Sequence, residues 1–435
     1  MRLKDYARNH NRRKEYIGQP DLLLIGIDVS KGKHDACIGK TRGVIRGKLE
    51  FKNSREGFKY FEDTIRQVLF QHKCRKVLIG MEPSGLYWYG LYERLRSCGF
   101  GVCLVNCLSV KNNRRTMQDG VSKTDRKDAY SIFDLLQQAK FFLPVERDKE
   151  LQAAYRLMRR HMAIKKRMSR VRNQLRGALH LSFPELNDEI KDLALPTSLR
   201  FLQAYPTPES ILRNGRKRFL ARWQRRRRCG QWRPTKFEHI YNLAQESIGL
   251  KDPFRCDEFE IKALAADLGE AVAKQQMYLD KATELLVGRE DFQALLELPR
   301  IGKATATAIL TAIGNISEYR NGKQLVKLAG LDIRQYESGS SIRKRPRISH
   351  IGSAYLRHWL YHFALRLVAH DEHFKAYFNR CKKRSPGKGE GMRAMMAVCD
   401  KSLRIIFRIL KYQEKYQPEK DKKIAEFYRE QQKAA

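Results

Sequence analysis

Residues 22–29 read Leu-Leu-Leu-Ile-Gly-Ile-Asp-Val, and this run constrains the fold more sharply than any other feature of the chain. It is apolar without alternation and too short for an ordinary buried helix, so it predicts a strand covered on both faces. Such a strand belongs inside a sheet with helices on either side. The next hundred residues agree. Residues 34–39 and 44–51 read as two short β segments separated by Gly-containing turns. Residues 54–71 carry Phe58, Phe61, Ile65 and Leu69 at helical spacing. Residues 77–81 and 101–105 read as further buried strands, with helices expected over 87–97 and 125–138. Three strands, then helix, strand, helix, strand and helix predict a mixed sheet, an antiparallel meander followed by βαβ crossovers. This α/β domain is expected over residues 21–146, behind a loose basic arm at residues 1–20.

The remainder reads as helical, which makes the fold class α/β plus α. Leu157, His161, Ile164, Met168, Val171, Leu175 and Ala178 alternate by three and four, as do Leu264, Leu268, Ala271, Gln275, Tyr278, Ala282 and Leu285. Two antiparallel helices of a coiled-coil arm, or of an ordinary bundle, are expected within residues 147–290. Between them lies the most basic stretch, from Arg200 to Lys236, whose only acid is Glu209. Trp223 and Trp232 flank the run Arg225, Arg226, Arg227 and Arg228; guanidinium groups pair with phosphates and indoles stack on unpaired bases. A mostly α C-terminal region, residues 291–435, opens with Leu298-Pro299-Arg300-Ile301-Gly302 and an Ala/Thr-rich segment. This pattern suits a helix-hairpin-helix, in which backbone N–H groups near Gly302 and Lys303 would grip a phosphate.

Charge narrows the partners. Lys and Arg number 87 against 48 acids, a net +39 over 435 residues. That excess repels itself unless a polyanion offsets it, and nucleic acid is the expected one. No apolar run is long enough to span a bilayer and the N-terminus lacks a signal-peptide core, so a cytoplasmic protein without a membrane partner is expected. The nine cysteines are scattered; Cys103 and Cys107 are the only close pair, and they make no zinc site on their own. His358, His362, His370 and His373 read as surface or core histidines, for want of a third ligand.

Four acids stand where chemistry gathers. Asp28 and Glu82 end two buried strands, where ligands collect in sheets with βαβ crossovers. Asp125 and Asp128 are three apart at a helix start and share a face. Taken singly, Asp28 reads as a turn residue and Asp125 as a helix cap. Glu82 interrupts an apolar run and is harder to dismiss. Around one mouth, four carboxylates call for cations, and two divalent metals roughly 4 Å apart would supply them and polarise a phosphodiester. Downstream, Ser338, Ser340 and Ser341 precede Arg343, Lys344, Arg345 and Arg347. Locally this is an ordinary flexible turn, yet a hydroxyl among cations is also well placed to meet a phosphate.

Gly-Ile-Asp-Val-Ser, Glu-Pro-Ser-Gly and Lys-Thr-Asp-Arg-Lys-Asp-Ala, in that order, resemble the N-terminal domain of the DEDD insertion-sequence transposases, similar in fold to RuvC Holliday-junction resolvases and the RNase H-like group. Pro-Arg-Ile-Gly, Ala-Gly-Leu, Ser-Gly and Gly-x-x-x-Leu-Arg resemble the family's C-terminal transposase domain. The likeness covers residues 22–140 and 292–364; His350 departs from the basic residue common there. It implies that Asp28, Glu82, Asp125 and Asp128 bind Mg²⁺ and that Ser338 is the nucleophile, with Ser340 and Ser341 as neighbouring candidates. It further implies donor and target DNA as substrates and a noncoding guide, the bridge RNA, pairing with both. A homo-oligomer with a site shared between protomers, working at the nucleoid, follows as an expectation. Some members of the family are DNA invertases. A junction resolvase using water as nucleophile, and a non-catalytic nucleic-acid-binding protein, are the alternatives.

Overall fold

In the computed structural model the apolar run becomes β1 (Leu22–Val29), with every residue from Leu22 to Ile27 buried. The structure describes residues 3–116, 125–224, 232–338, 342–384 and 386–416. The chain divides into two compact units, Met1–Val145 and Glu146–Ala435.

In the first unit β2 (Lys33–Lys40) and β3 (Gly43–Lys52) form the antiparallel meander with β1, and β4 (Lys76–Met81) and β5 (Gly101–Leu104) run parallel to it. The sheet order β3-β2-β1-β4-β5 fits an RNase H-like domain. Helix α1 (Leu3–Ile17) precedes the sheet, where a loose arm was expected; Ile17 is buried in the core, and the Arg13 guanidinium lies 5.3 Å from the Phe141 ring centroid. Helices α2 (Arg55–Gln71) and α3 (Trp88–Ser97) cover one face, supplying Phe61, Ile65, Leu91 and Leu95 to the core beneath Leu23, Ile25 and Ile27. Ser54 caps α2, its hydroxyl accepting from the Gly57 N–H at 3.1 Å. The opposite face is covered by α4 (Cys107–Thr116) and α5 (Asp125–Gln137), where Val110, Ile132, Phe133 and Leu136 pack on Leu22, Leu24 and Leu78. Sequence reading misses α4 because Val110 is its one buried residue, which leaves no apolar stripe to detect.

In the second unit α6 (Lys149–Ser182) is followed by α7 (Pro184–Glu189), α8 (Pro196–Ala204), α9 (Pro208–Leu212), α10 (Gly215–Gln224) and α11 (Pro234–Gln245). Pro184, Pro196, Pro208 and Pro234 open their helices, where the missing N–H has no intrahelical partner to lose. Then α12 (Cys256–Glu284) returns antiparallel to α6. Leu151, Ala154 and Met158 share a core with Ala282 and Leu286, while Val171 and Leu175 pack with Ile261, Ala265 and Leu268. The second core cluster also takes in the short helices. The chain continues through α13 (Glu290–Leu296), α14 (Lys303–Ile313), α15 (Gly322–Leu328), the hairpin β6 (Ile333–Ser338) and β7 (Ile342–Ile348), α16 (Ala354–His370), α17 (Glu372–Arg384) and α18 (Glu390–Tyr412). Among the described residues, no helix is long and apolar enough to cross a membrane.

Candidate active site

The parallel register of β1 and β4 runs from Leu22↔Lys76 to Ile27↔Met81. One step further along the same row stand Asp28 and Glu82, so two acids far apart in sequence become neighbours across adjacent strands. Alternation fixes the side: Leu22 and Leu24 of β1, like Leu78 of β4, belong to the core under α5, and Asp28 and Glu82 follow in phase. Sequence reading misses a third carboxylate on this row. Asp35 of β2 lies directly opposite Asp28 and is 6% exposed. Its signal was an acid placed two residues before Cys37 on an inward-facing strand position.

Two glycines bring α5 down onto these strands. A Cβ at Gly26 would stand 2.4 Å from the Phe133 nitrogen and 2.6 Å from the Ala129 carbonyl oxygen. At Gly80 it would stand 2.7 Å from the Leu136 side chain. Backbone therefore packs on backbone, and Ala129, the neighbour of Asp128, is fixed over the strand that ends in Asp28. Asp125 begins this helix; its side chain lies outside the described residues. Asp128 is 6% exposed and receives the Arg114 guanidinium of α4 at 2.6 Å. Asn113, one residue earlier, donates to Asp134 at 2.9 Å and to the Ser131 carbonyl at 3.2 Å, which ties α4 to α5. Cys107, at the start of α4, has its thiol pushed up by burial and then by the Glu82 carboxylate beside it.

The donor chemistry of Asp28, Glu82 and Asp128 is all carboxylate oxygen, which suits a hard divalent cation such as Mg²⁺ rather than zinc. Like charges directly opposite on a sheet destabilise it, so Asp28 facing Asp35 favours a cation at this end. Among the described residues no three such side chains approach closely enough to hold an ion, and Asp128 is engaged by Arg114.

Ser338 is the last residue of β6, paired with Ile342 across the hairpin, while Ser340 and Ser341 lie outside the described residues. The cationic segment expected as a turn is a strand: Glu337 pairs with Arg343, Tyr336 with Lys344, and Arg334 with Arg347, with Arg345 between them on β7. Arg347 is exposed; nothing is described of the side chains of Arg343, Lys344 and Arg345. The hairpin base is locked from both sides. Ser349 Oγ donates to Asp332, the His350 N–H to the Gly330 carbonyl at 3.1 Å, and Arg357 Nη1 to the Ala329 carbonyl at 2.7 Å. Gly330 adopts φ +65°, and a Cβ there would meet Arg357 at 2.8 Å, which explains the Ala-Gly-Leu signal.

The expected nucleic-acid residues divide. Trp223 is 5% exposed and stacks on Phe237 at 5.0 Å, so it is a core side chain and offers no face to a base, which corrects the expectation from sequence. Trp232 is half-buried against Phe201, with Lys236 Nζ 4.7 Å from its ring centroid. Arg225, Arg226, Arg227 and Arg228 lie outside the described residues. Gly302 is the N-cap of α14 and Lys303 its exposed first residue, with Arg300 in the left-handed region at φ 62°. His358 and His362 stand 4.5 Å apart between ring centroids, and burial, then His362 and Lys165, push His358 down to about 4.

Comparison with known proteins finds transposases at both ends of the chain. Residues 25–184 match a DEDD transposase family model, and residues 292–379 match the model described as Transposase IS116/IS110/IS902 family. The chain is 26% identical over 320 residues to the Insertion element IS116 uncharacterized 44.8 kDa protein of Streptomyces clavuligerus, covering 72% of this chain and 76% of that protein. It is 28% identical over 184 residues to the transposase for insertion sequence element IS1111A of Coxiella burnetii, covering 40% of this chain and 47% of the relative. A pilin gene-inverting protein of Moraxella bovis is 32% identical over 133 residues, 30% of this chain and 39% of the relative. With two family models matching its sheet domain and its C-terminal helices, the chain belongs to the IS110-type DEDD transposases, enzymes of DNA recombination.

Proposed function

We propose that this transposase cuts and rejoins DNA by pairing the carboxylates Asp28, Glu82, Asp125 and Asp128 with Ser338 as nucleophile. The observation that carries the reading is the shared row of Asp28 and Glu82 beneath the helix that bears the other two acids. Bound Mg²⁺ would supply charge stabilisation at the phosphate being cleaved. The chain's own residues do the rest. Asp28, Glu82, Asp125 and Asp128 hold the site's geometry. Arg114 neutralises Asp128 and keeps α4 against α5. The Ser338 hydroxyl attacks phosphorus: the Oγ–P bond forms, the bond to the departing sugar oxygen breaks, and the serine proton ends on that oxygen. A free sugar hydroxyl of the incoming strand then displaces Ser338, which regains a proton. The cations of β7 would stabilise the developing phosphorane charge.

The finer reading includes a noncoding guide RNA that pairs with donor and target, a homo-oligomer with α6 and α12 as a coiled-coil dimerisation arm, a helix-hairpin-helix grip at Gly302 and Lys303, and action at the nucleoid. Its test is trapping of protein on labelled DNA. Wild type gives a denaturant-resistant adduct, while Ser338→Ala gives none and still binds DNA. An undiminished adduct in Ser338→Ala would move the nucleophile elsewhere. Sequencing RNA that copurifies with the protein tests the guide. Similarity to a pilin gene-inverting protein favours one second reading, site-specific inversion by the same chemistry; recombination between inverted sites on one plasmid distinguishes it from transposition.

A further inference from the structure

The two long helices of the second unit are electrically opposite. Glu150 is the only acid in α6, which otherwise carries Lys and Arg along its length. In α12 the only cations are Lys262, Lys274 and Lys281, against acids from Asp257 to Glu284. If the basic helix served only to hold the acidic one, its cations would turn toward it. They do not. Arg156, Arg160, Arg167 and Arg170 are all exposed and recur at coiled-coil spacing, with exposed Ala163 between them and exposed Gln174 one step beyond on the same stripe. They line one exposed flank of the helix, turned away from the buried seam of Met158, His161, Met168, Val171 and Leu175. Among the described residues Arg156, Arg160 and Arg170 make no ion pair; Arg167 feels Glu270, which is itself bonded to Lys274.

We infer that this outward stripe of α6 is a docking track for the phosphate backbone of duplex DNA, distinct from the carboxylate row and independent of the serine chemistry. The stripe runs ~21 Å along the helix from Arg156 to Arg170, at ~1.5 Å per residue. That length covers roughly six phosphates of one strand at ~3.4 Å of duplex axis each. No aromatic side chain stands among Arg156, Arg160, Ala163, Arg167, Arg170 and Gln174. A single-strand platform interleaves aromatic rings for base stacking, so a track made of guanidinium groups alone reads phosphates rather than bases. The helix is anchored along its whole buried face, so binding need not first order it.

The experiment is a salt titration of duplex binding with nuclease-treated full-length protein. Replacing Arg156, Arg160, Arg167 and Arg170 together by Gln should make the dependence of log affinity on log salt shallower by about three to four, with binding at least ~10-fold weaker near 0.1 M salt. Conversely, Ala163→Lys with Gln174→Lys should steepen the slope by about two. Replacing exposed Arg42, Arg46, Lys48 and Lys59 of the first unit by Gln removes equal charge and should have a much smaller effect. Equal losses in the two quadruple variants would overturn the inference, since bulk charge would then account for binding. So would a loss confined to duplex RNA, or an unchanged DNA slope with altered sedimentation mass, which would assign the stripe to the acidic helix of a second copy.

Discussion

Arg114 Nη1 stands 2.6 Å from Asp128 Oδ1, and Asp128 is buried, 6% exposed. A helix that sequence reading overlooks thus supplies the counter-charge to one of the four acids. Removing one partner of a buried pair leaves the other charge uncompensated. Arg114→Gln should therefore lower stability without added metal by about 1–3 kcal/mol, less than a fully buried pair would cost because the guanidinium is partly exposed. Mg²⁺ should restore more stability to this variant than it adds to wild type. Thermal melts with Mg²⁺ and with chelator check this, and equal increments in both proteins would count against a metal site beside Asp128.

Gly26 is a steric requirement of the site. Ala at this position places a methyl 2.4 Å from backbone of α5, so the helix must move. The expected cost is about 1–3 kcal/mol or more. Strand cleavage should fall by about 100-fold under conditions where the variant remains folded, because a shift of about 1 Å is enough to disturb a catalytic geometry. Gly43→Ala, where a Cβ meets nothing within 4 Å, is the matched control. Urea unfolding and cleavage rates measured on both variants separate position from stability.

Asp28→Asn and Glu82→Gln should each reduce cleavage at least ~100-fold in millimolar Mg²⁺ while DNA affinity stays within about threefold of wild type, since charge stabilisation at the phosphate is lost but the cationic surfaces remain. Gel-based cleavage and filter binding on the same preparations decide it. Full activity in either variant would remove that carboxylate from the site.

Trp223 packs among Phe201, Phe237 and Tyr205. Its truncation to Ala should cost about 3–5 kcal/mol, as for a large aromatic lost from a core. Chemical denaturation checks the loss. A variant with wild-type stability and weakened single-strand binding would instead restore the base-stacking role.

His358 gives the second unit an acid-sensitive element. Burial, then His362 and Lys165, hold its pKa down to about 4. The folded protein keeps it neutral below the pH at which the unfolded chain takes up a proton, near the ordinary value of 6.5. Its contribution to stability is therefore complete above about pH 6.5, falls progressively toward pH 4 and levels below. His358→Gln should show a shallower loss of urea midpoint over that window. An unaltered slope would mean His358 titrates normally.

Much of the first unit is legible because its strands are buried on two faces: the runs at 22–29 and 77–81 have no polar alternation to confuse the reading. The helix α4 is not legible, since a mostly exposed helix with Val110 as its buried residue leaves no periodic trace. Trp223 and Trp232 look alike beside their arginines, yet one lies in the aromatic core and the other half outside it. Composition sets that both are large and amphipathic; depth depends on neighbours from α8 and α11.

Local periodicity and charge were enough to read the basic character, the order of the five sheet strands, the strand-end positions of Asp28 and Glu82 and the helical phase of Asp125 and Asp128. Long-range packing set the rest: β1 lies between β2 and β4, Asp35 faces Asp28, Gly26 and Gly80 admit α5 against the sheet, and Arg114 reaches Asp128. These are contacts between segments distant in the chain. They are chosen by the joint satisfaction of backbone hydrogen bonds and close packing, which no local pattern encodes.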